Sequence, residues 1–125
     1  MFSRLFGALS GAVQPGGDKV KVVDPAIIRE WWEAGEVVLI DVRERDEYAA
    51  ENIPGAVNLP LTSFNPTQVP KPEAGKRLVI HCRSGARCGT ASAHLVAAGW
   101  DGEIVRMRGG IMGWRSAGGP TRRGS

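Results

Sequence analysis

Cys82 stands in the segment LVIHCRSGARCG, residues 78–89, with Gly85 three positions on and arginines at 83 and 87. The thiolate of a cysteine, not the thiol, is its nucleophile, so a reactive role requires surroundings that favour loss of the proton. Arg77–His81 is a short apolar run with β-branched Val79 and Ile80 and predicts a strand, and alanine-rich Thr90–Ala98 predicts a helix. Cys82–Arg87 then reads as a strand-to-helix loop. The first amides of a helix lack intrahelical partners and carry the positive end of its dipole, so an anion is favoured there. Gly85 lets the backbone curl, and Arg83 and Arg87 add charge to a loop that contains no acid.

These features predict a Cys82 thiol more acidic than an isolated one, moved from about 8.5 toward roughly 3.5–7.5. The same donors, the amides from Arg83 through Ser84, Gly85, Ala86 and Arg87 to Cys88, are expected to cradle an anionic substrate or an extra sulfur above the thiolate. The competing reading makes Cys82 a small buried hydrophobe and the arginines solvated surface.

Cys82-Arg83-Ser84-Gly85-Ala86-Arg87 resembles the active-site loop of rhodanese-like sulfurtransferases. DVRERDEY (41–48) with IPGAVNLP (53–60), and RMRGGIMGWRSAGGP (106–120), resemble further blocks of that family, so the likeness runs from about Val20 to Pro120. The resemblance implies a persulfide on catalytic Cys82, formed from a small anionic donor such as thiosulfate and passed to cyanide, a thiol or a protein acceptor. It implies no cofactor. Arg83, Ser84, Gly85, Ala86, Arg87 and Cys88 become the substrate-binding set. The family commonly has Gly-His before the Ile-Pro of the second block, where this chain has Glu51-Asn52, and it often has serine at the position of Cys88.

Two other functions share Cys82. One is a persulfide carrier or sulfur-sensing module with little turnover, which hands sulfur to a partner. The more distant one is a cysteine phosphatase, because His-Cys followed by a basic loop is similar to HC-x5-R. Five intervening residues would put arginine at position 88, which is Cys88. A shorter loop suits a sulfur atom better than a tetrahedral phosphate. Cys88 itself reads either as a buried helix residue or as a resolving thiol that attacks a Cys82 persulfide.

A chain of 125 residues with 42% apolar content suits one core. Its net charge of +3 is spread among acids rather than gathered in a stripe, so no nucleic-acid partner is expected. Two cysteines and two histidines without a C-x-x-C pair predict no metal site. A free reactive thiol suits a reducing cytosol, hence a cytoplasmic location. Residues 1–10, with Phe2, Leu5, Phe6 and Leu9 at helical spacing, leave a membrane-peripheral or periplasmic setting open, although the stretch is too short and glycine-broken for a transmembrane segment. The expected division is a flexible or weakly amphipathic tail over 1–17, a rhodanese-like domain over 18–120, and a loose basic tail over 121–125.

The elements that must position Cys82 follow from local pattern. KVKVV predicts an edge strand. Asp24-Pro25 predicts an N-cap and first helical position, with Ile27, Ile28, Trp31 and Trp32 as the buried stripe. Val37–Ile40 is apolar throughout, as in a strand covered on both faces, and delivers Asp41 and Arg43 to the strand's carboxyl end. Asp41 and Arg43 are expected to support the site, chiefly by an ion pair or hydrogen bond that fixes the loop; proton transfer is the lesser alternative. Glu44–Glu51 predicts a short helix with Tyr48 and Ala49 turned inward, followed by an Ile53-Pro54-Gly55 turn, a brief strand over Val57–Leu59, one helical turn over Leu61–Phe64 and a proline-rich connection over Asn65–Gly75. Cys88–Ala98 predicts the helix behind the loop, ended by Gly99, with His94 partly exposed; alternation turns His81 away from Cys82. Glu103–Met107 predicts the last strand, and Gly109-Gly110 a turn into a helix anchored by Trp114. Arg106 and Arg108 read chiefly as solvated charges, with a contribution of positive field near the crevice as the alternative. Alternating strands and helices imply an α/β fold, a mostly parallel sheet with helices on both faces, and the resemblance implies that this fold is rhodanese-like.

Overall fold

The structure is a computed structural model that describes residues 19–124; the expectations for the first seventeen residues lie outside the described residues. Its elements run β1 (Val20–Val23), α1 (Pro25–Glu33), β2 (Val37–Asp41), α2 (Arg45–Ala50), β3 (Val57–Asn58), β4 (Arg77–His81), α3 (Ala86–Ala97), β5 (Ile104–Met107) and α4 (Gly110–Ser116). The five strands form one parallel sheet in the order β1-β5-β4-β2-β3. β1 is an edge, as its alternation implied.

The apolar runs of β2 and β4 are explained by the two faces of this sheet. Leu39, Val79, Val105 and Met107 pack on one side with Ile28 of α1 and Ile111 and Trp114 of α4. Ile40, Leu78, Ile80 and Ile104 pack on the other with Cys88, Ala91 and Leu95 of α3. Successive strand residues point to opposite faces, so a strand buried on both sides must be apolar at every position. Each fully buried side chain of this size contributes about 1.5–3 kcal/mol. Trp114 is fully buried, stands edge-on to Trp32 at 5.5 Å between centroids, and donates its indole N–H to the Pro120 carbonyl at 2.8 Å.

Several local expectations are corrected. Ile27 is exposed (45%), because the stripe of α1 narrows to Ile28 with Trp31 and Trp32 half-buried. Asp24 precedes α1, but its side chain makes no capping bond; the carboxylate accepts from Arg108 Nε at 2.7 Å instead. Ala49 is exposed, while Tyr48 is half-buried and donates to the Ala56 carbonyl at 2.9 Å. α3 begins at Ala86 rather than Cys88, so the loop proper is only Cys82–Gly85. The C-terminal stretch is not loose through residue 124. Arg122 and Asn52 exchange backbone hydrogen bonds of 2.8 and 2.9 Å, and the amide of Gly124 donates to the Ala49 carbonyl at 2.8 Å. No helix among the described residues is long and apolar enough to cross a membrane.

Candidate active site

Cys82 leaves the carboxyl end of β4 and stands directly before the N-terminus of α3. Gly85 caps that helix at φ +117°, a left-handed conformation in which a side chain would be strained, and the turn brings its amide to 3.1 Å from Cys82 Sγ. Cys88 lies in the first turn of α3, fully buried, with its thiol 3.0 Å from the Gly85 carbonyl oxygen. Both thiols are free.

The Cys82 thiol is pulled down to about 5. The hydrogen bond from the Cys88 thiol contributes most, and the amides of Cys88, Gly85 and Arg87 add to it against the burial that disfavours a charge. The Cys88 thiol is pushed up by the same contact, because it is the donor, and by burial. The two shifts together favour the proton on Cys88 and the charge on Cys82. The leading cause of the Cys82 shift is the Cys88 contact and not the expected guanidinium charge.

The arginines explain that difference. Arg83 is exposed, on the outer rim of the loop. Arg87 turns away to meet Glu47 of α2 through bonds of 2.7 and 2.9 Å, so an acid from elsewhere in the chain compensates its charge. Glu47 is held down to about 2 chiefly by that guanidinium, and Arg87 is correspondingly raised. Glu47 also accepts the backbone N–H of Glu44 at 2.9 Å, closing a capping box on α2. Arg106, expected in solvent, reaches inward from β5: its Nη2 donates to the Gly85 carbonyl at 3.1 Å and its Nε is buried without a hydrogen-bond partner. Ser84 and Ala86 are exposed at the loop surface. Nothing in the local spacing around Cys82 signals Glu47 or Arg106; pairing across the fold does.

Asp41 and Arg43 sit behind the site rather than in it. Both are buried. Arg43 grips the Asp41 carboxylate with Nε at 3.0 Å and Nη2 at 2.7 Å, and its amide adds a bond of 2.9 Å. Nη2 also donates to the Glu51 carbonyl at 2.6 Å, tying the end of α2 to the β2 turn. The ion-pair reading of these residues therefore describes their geometry. His81, opposite Asp41 in the register of β2 and β4, is fully buried, with Nε2 3.6 Å from the carboxylate and Nδ1 3.2 Å from the Cys82 carbonyl. Burial pushes the imidazole down and so favours the neutral ring, against the opposing pull of the Asp41 carboxylate.

The Cys82 carbonyl also accepts the Ile111 amide at 2.9 Å, and the Arg83 carbonyl accepts that of Met112 at 3.2 Å. The start of α4 thereby clamps the loop. Gly110 makes this approach possible: its φ is +59°, and a Cβ there would lie 2.5 Å from the Arg83 carbonyl oxygen. Asn52 answers the question raised by its place in the second block. It is buried, donates to the Tyr48 and Gly124 carbonyls, and accepts from Arg122 Nε at 3.2 Å.

A family model described as the rhodanese-like domain matches residues 24–117. An uncharacterized Synechocystis protein is 39% identical over 99 residues, covering 79% of this chain; the chain spans about half the length of that relative, 54%. A sulfurtransferase of Allochromatium vinosum is 39% identical over 87 residues, covering 68% of this chain and 78% of the relative. Among solved structures, a thiosulfate sulfurtransferase from Pseudomonas aeruginosa superposes with a TM-score of 0.75 at 25% identity, over 98% of this chain and 23% of that one.

Proposed function

The chain belongs to the rhodanese-like domain family, and on that premise we propose that it is a sulfurtransferase that carries sulfane sulfur as a persulfide on Cys82. One observation carries the reading: the Cys82 sulfur, its thiol lowered to about 5, accepts the Gly85 amide at 3.1 Å at the start of α3.

The thiolate attacks the outer sulfur of a thiosulfate-type donor. The donor's S–S bond breaks, and sulfite departs with the electron pair. Sulfite is a stable anion, so the step needs no general acid. The amides that favour the thiolate then hold the outer sulfur of the persulfide. A nucleophilic acceptor such as cyanide, a thiol or a protein thiol takes that sulfur and returns Cys82 as thiolate. Arg83, exposed at the rim, attracts the anionic donor, and Arg87 shares in this to the extent that Glu47 leaves it charge. Asp41 and Arg43 act through the fold by holding the β2 turn beside β4. A thiolate of this acidity suits a reducing compartment.

The test is intact mass spectrometry after thiosulfate treatment of the parent and of Cys82→Ser. A reducible gain of one sulfur on the parent alone is expected. A gain that persists in Cys82→Ser overturns the assignment. Steady-state turnover with thiosulfate and cyanide separates an enzyme from a carrier, which would load once and wait for its partner.

A further inference from the structure

Cys88 does more in this geometry than donate a hydrogen bond. The two sulfurs meet the same residue at the start of α3, Cys82 Sγ at 3.1 Å from the Gly85 amide and Cys88 Sγ at 3.0 Å from the Gly85 carbonyl oxygen. Both cysteines are free, and their residues are 1% and 0% exposed. A serine hydroxyl in place of Cys88 could supply the hydrogen bond. It could not form a bond to sulfur.

A cavity of about 400 Å3 opens on the Cys88 side of the loop, lined among others by Ser84, Gly85, Cys88, Arg106, Arg108 and Gly109. Arg106 borders both this cavity and Cys88, and its charge favours the Cys88 thiolate. The groups that oppose that thiolate are the charge and hydrogen bond of ionised Cys82, together with burial. Once Cys82 carries an extra sulfur, its negative charge moves to the outer atom. Arg106 then remains as the charged partner of Cys88 and favours its thiolate.

We propose that Cys88 is a resolving thiol: it attacks the inner sulfur of a Cys82 persulfide, closes a Cys82–Cys88 disulfide and releases the outer sulfur as hydrosulfide. This rests on the sulfurtransferase reading. The Cys88 proton passes to the outer sulfur, the bond between the two Cys82-borne sulfurs breaks, and the outer atom leaves as HS− with the electron pair. The sulfane sulfur is reduced to sulfide while the two cysteine sulfurs are oxidised to the disulfide, so closure needs no external oxidant. Two equivalents of a small thiol reopen the disulfide and are themselves oxidised to one disulfide. The sum converts thiosulfate and two thiols into sulfite, hydrosulfide and a small disulfide, and the chain becomes a thiol-driven source of hydrosulfide.

The experiment loads the reduced full chain with thiosulfate, removes excess donor, and follows intact mass and free sulfide without added thiol. The parent is expected to pass from one sulfur heavier than the reduced protein to two hydrogens lighter, with one hydrosulfide released per chain and peptides of Cys82 and Cys88 cross-linked. Cys88→Ser is expected to keep its sulfur and to lose hydrosulfide release. A parent that holds its sulfur as long as Cys88→Ser does, or that releases sulfide while both thiols return free, overturns the resolving role and leaves the persulfide standing. A parent that never gains sulfur overturns the sulfurtransferase reading and this inference with it. As a check independent of loading, oxidised glutathione should close the same cross-link in the parent, and mixed glutathione disulfides without a cross-link would also overturn the proposal.

Discussion

Glu47 and Arg87, forty residues apart in the chain, lock α2 to the helix behind the reactive cysteine through bonds of 2.7 and 2.9 Å. The pair is about a third exposed on each side. It therefore contributes modestly to stability, about 0–1 kcal/mol, and its larger consequence is to neutralise a positive charge beside Cys82.

Glu47→Gln keeps an oxygen for the Glu44 amide but removes the counter-charge of Arg87. Steady-state kinetics should show a lower KM for thiosulfate, since a freed guanidinium strengthens attraction of an anionic donor. Because the Glu47 carboxyl is depressed to about 2, its stabilisation is present above the unfolded value of 4.5 and lost as pH falls through about 2. Acid unfolding of Glu47→Gln should lack that contribution.

The Cys82 thiol, lowered to about 5, should be alkylated by iodoacetamide with a rate that rises through pH 5 and levels off well below 9, the ordinary value. Replacing Cys88 by alanine removes the largest stabilising contact, and the midpoint should move up. Cys88→Ser, which retains a donor, should move it less. An unchanged midpoint in Cys88→Ala would leave the amides as the whole cause.

Asp41 and Arg43 are 0% and 4% exposed, and breaking such a pair leaves an uncompensated buried charge. Asp41→Ala or Arg43→Ala should each cost about 3–5 kcal/mol in denaturant unfolding. The double replacement should cost less than the two single losses added together, which a double-mutant cycle would read directly.

Gly110→Ala combines a left-handed backbone, φ +59°, with overlap of its new Cβ on the loop carbonyls. The loss should exceed about 1 kcal/mol. Because those carbonyls belong to Cys82 and Arg83, sulfur loading should suffer even at temperatures where the variant stays folded. Gly35→Ala, at φ +74° but with open space around it, serves as the control for backbone strain alone.

What the residues disclosed on their own was local. The unbroken apolar runs Val37–Ile40 and Leu78–Ile80 require cover on both faces, and glycine three residues after Cys82, before an alanine-rich stretch, predicts a thiol at a helix start. These signals survive because periodicity and turn chemistry act over a few neighbouring residues. They ran short at boundaries, where α3 starts two residues early and Ile27 and Ala49 face outward.

What tertiary structure alone decided is which distant partner each charge and sulfur meets. Parallel pairing of β2 with β4 sets Asp41 opposite His81, and pairing of β4 with β5 lets Arg106 reach the Gly85 carbonyl. Arg87, with the look of a substrate ligand, is taken by Glu47, and a C-terminal stretch with the look of a loose tail satisfies the buried amide of Asn52. Hydrogen bonds and ion pairs depend on separations of about 3 Å. Local residue order carries no such distances between far positions until the strands have been placed side by side.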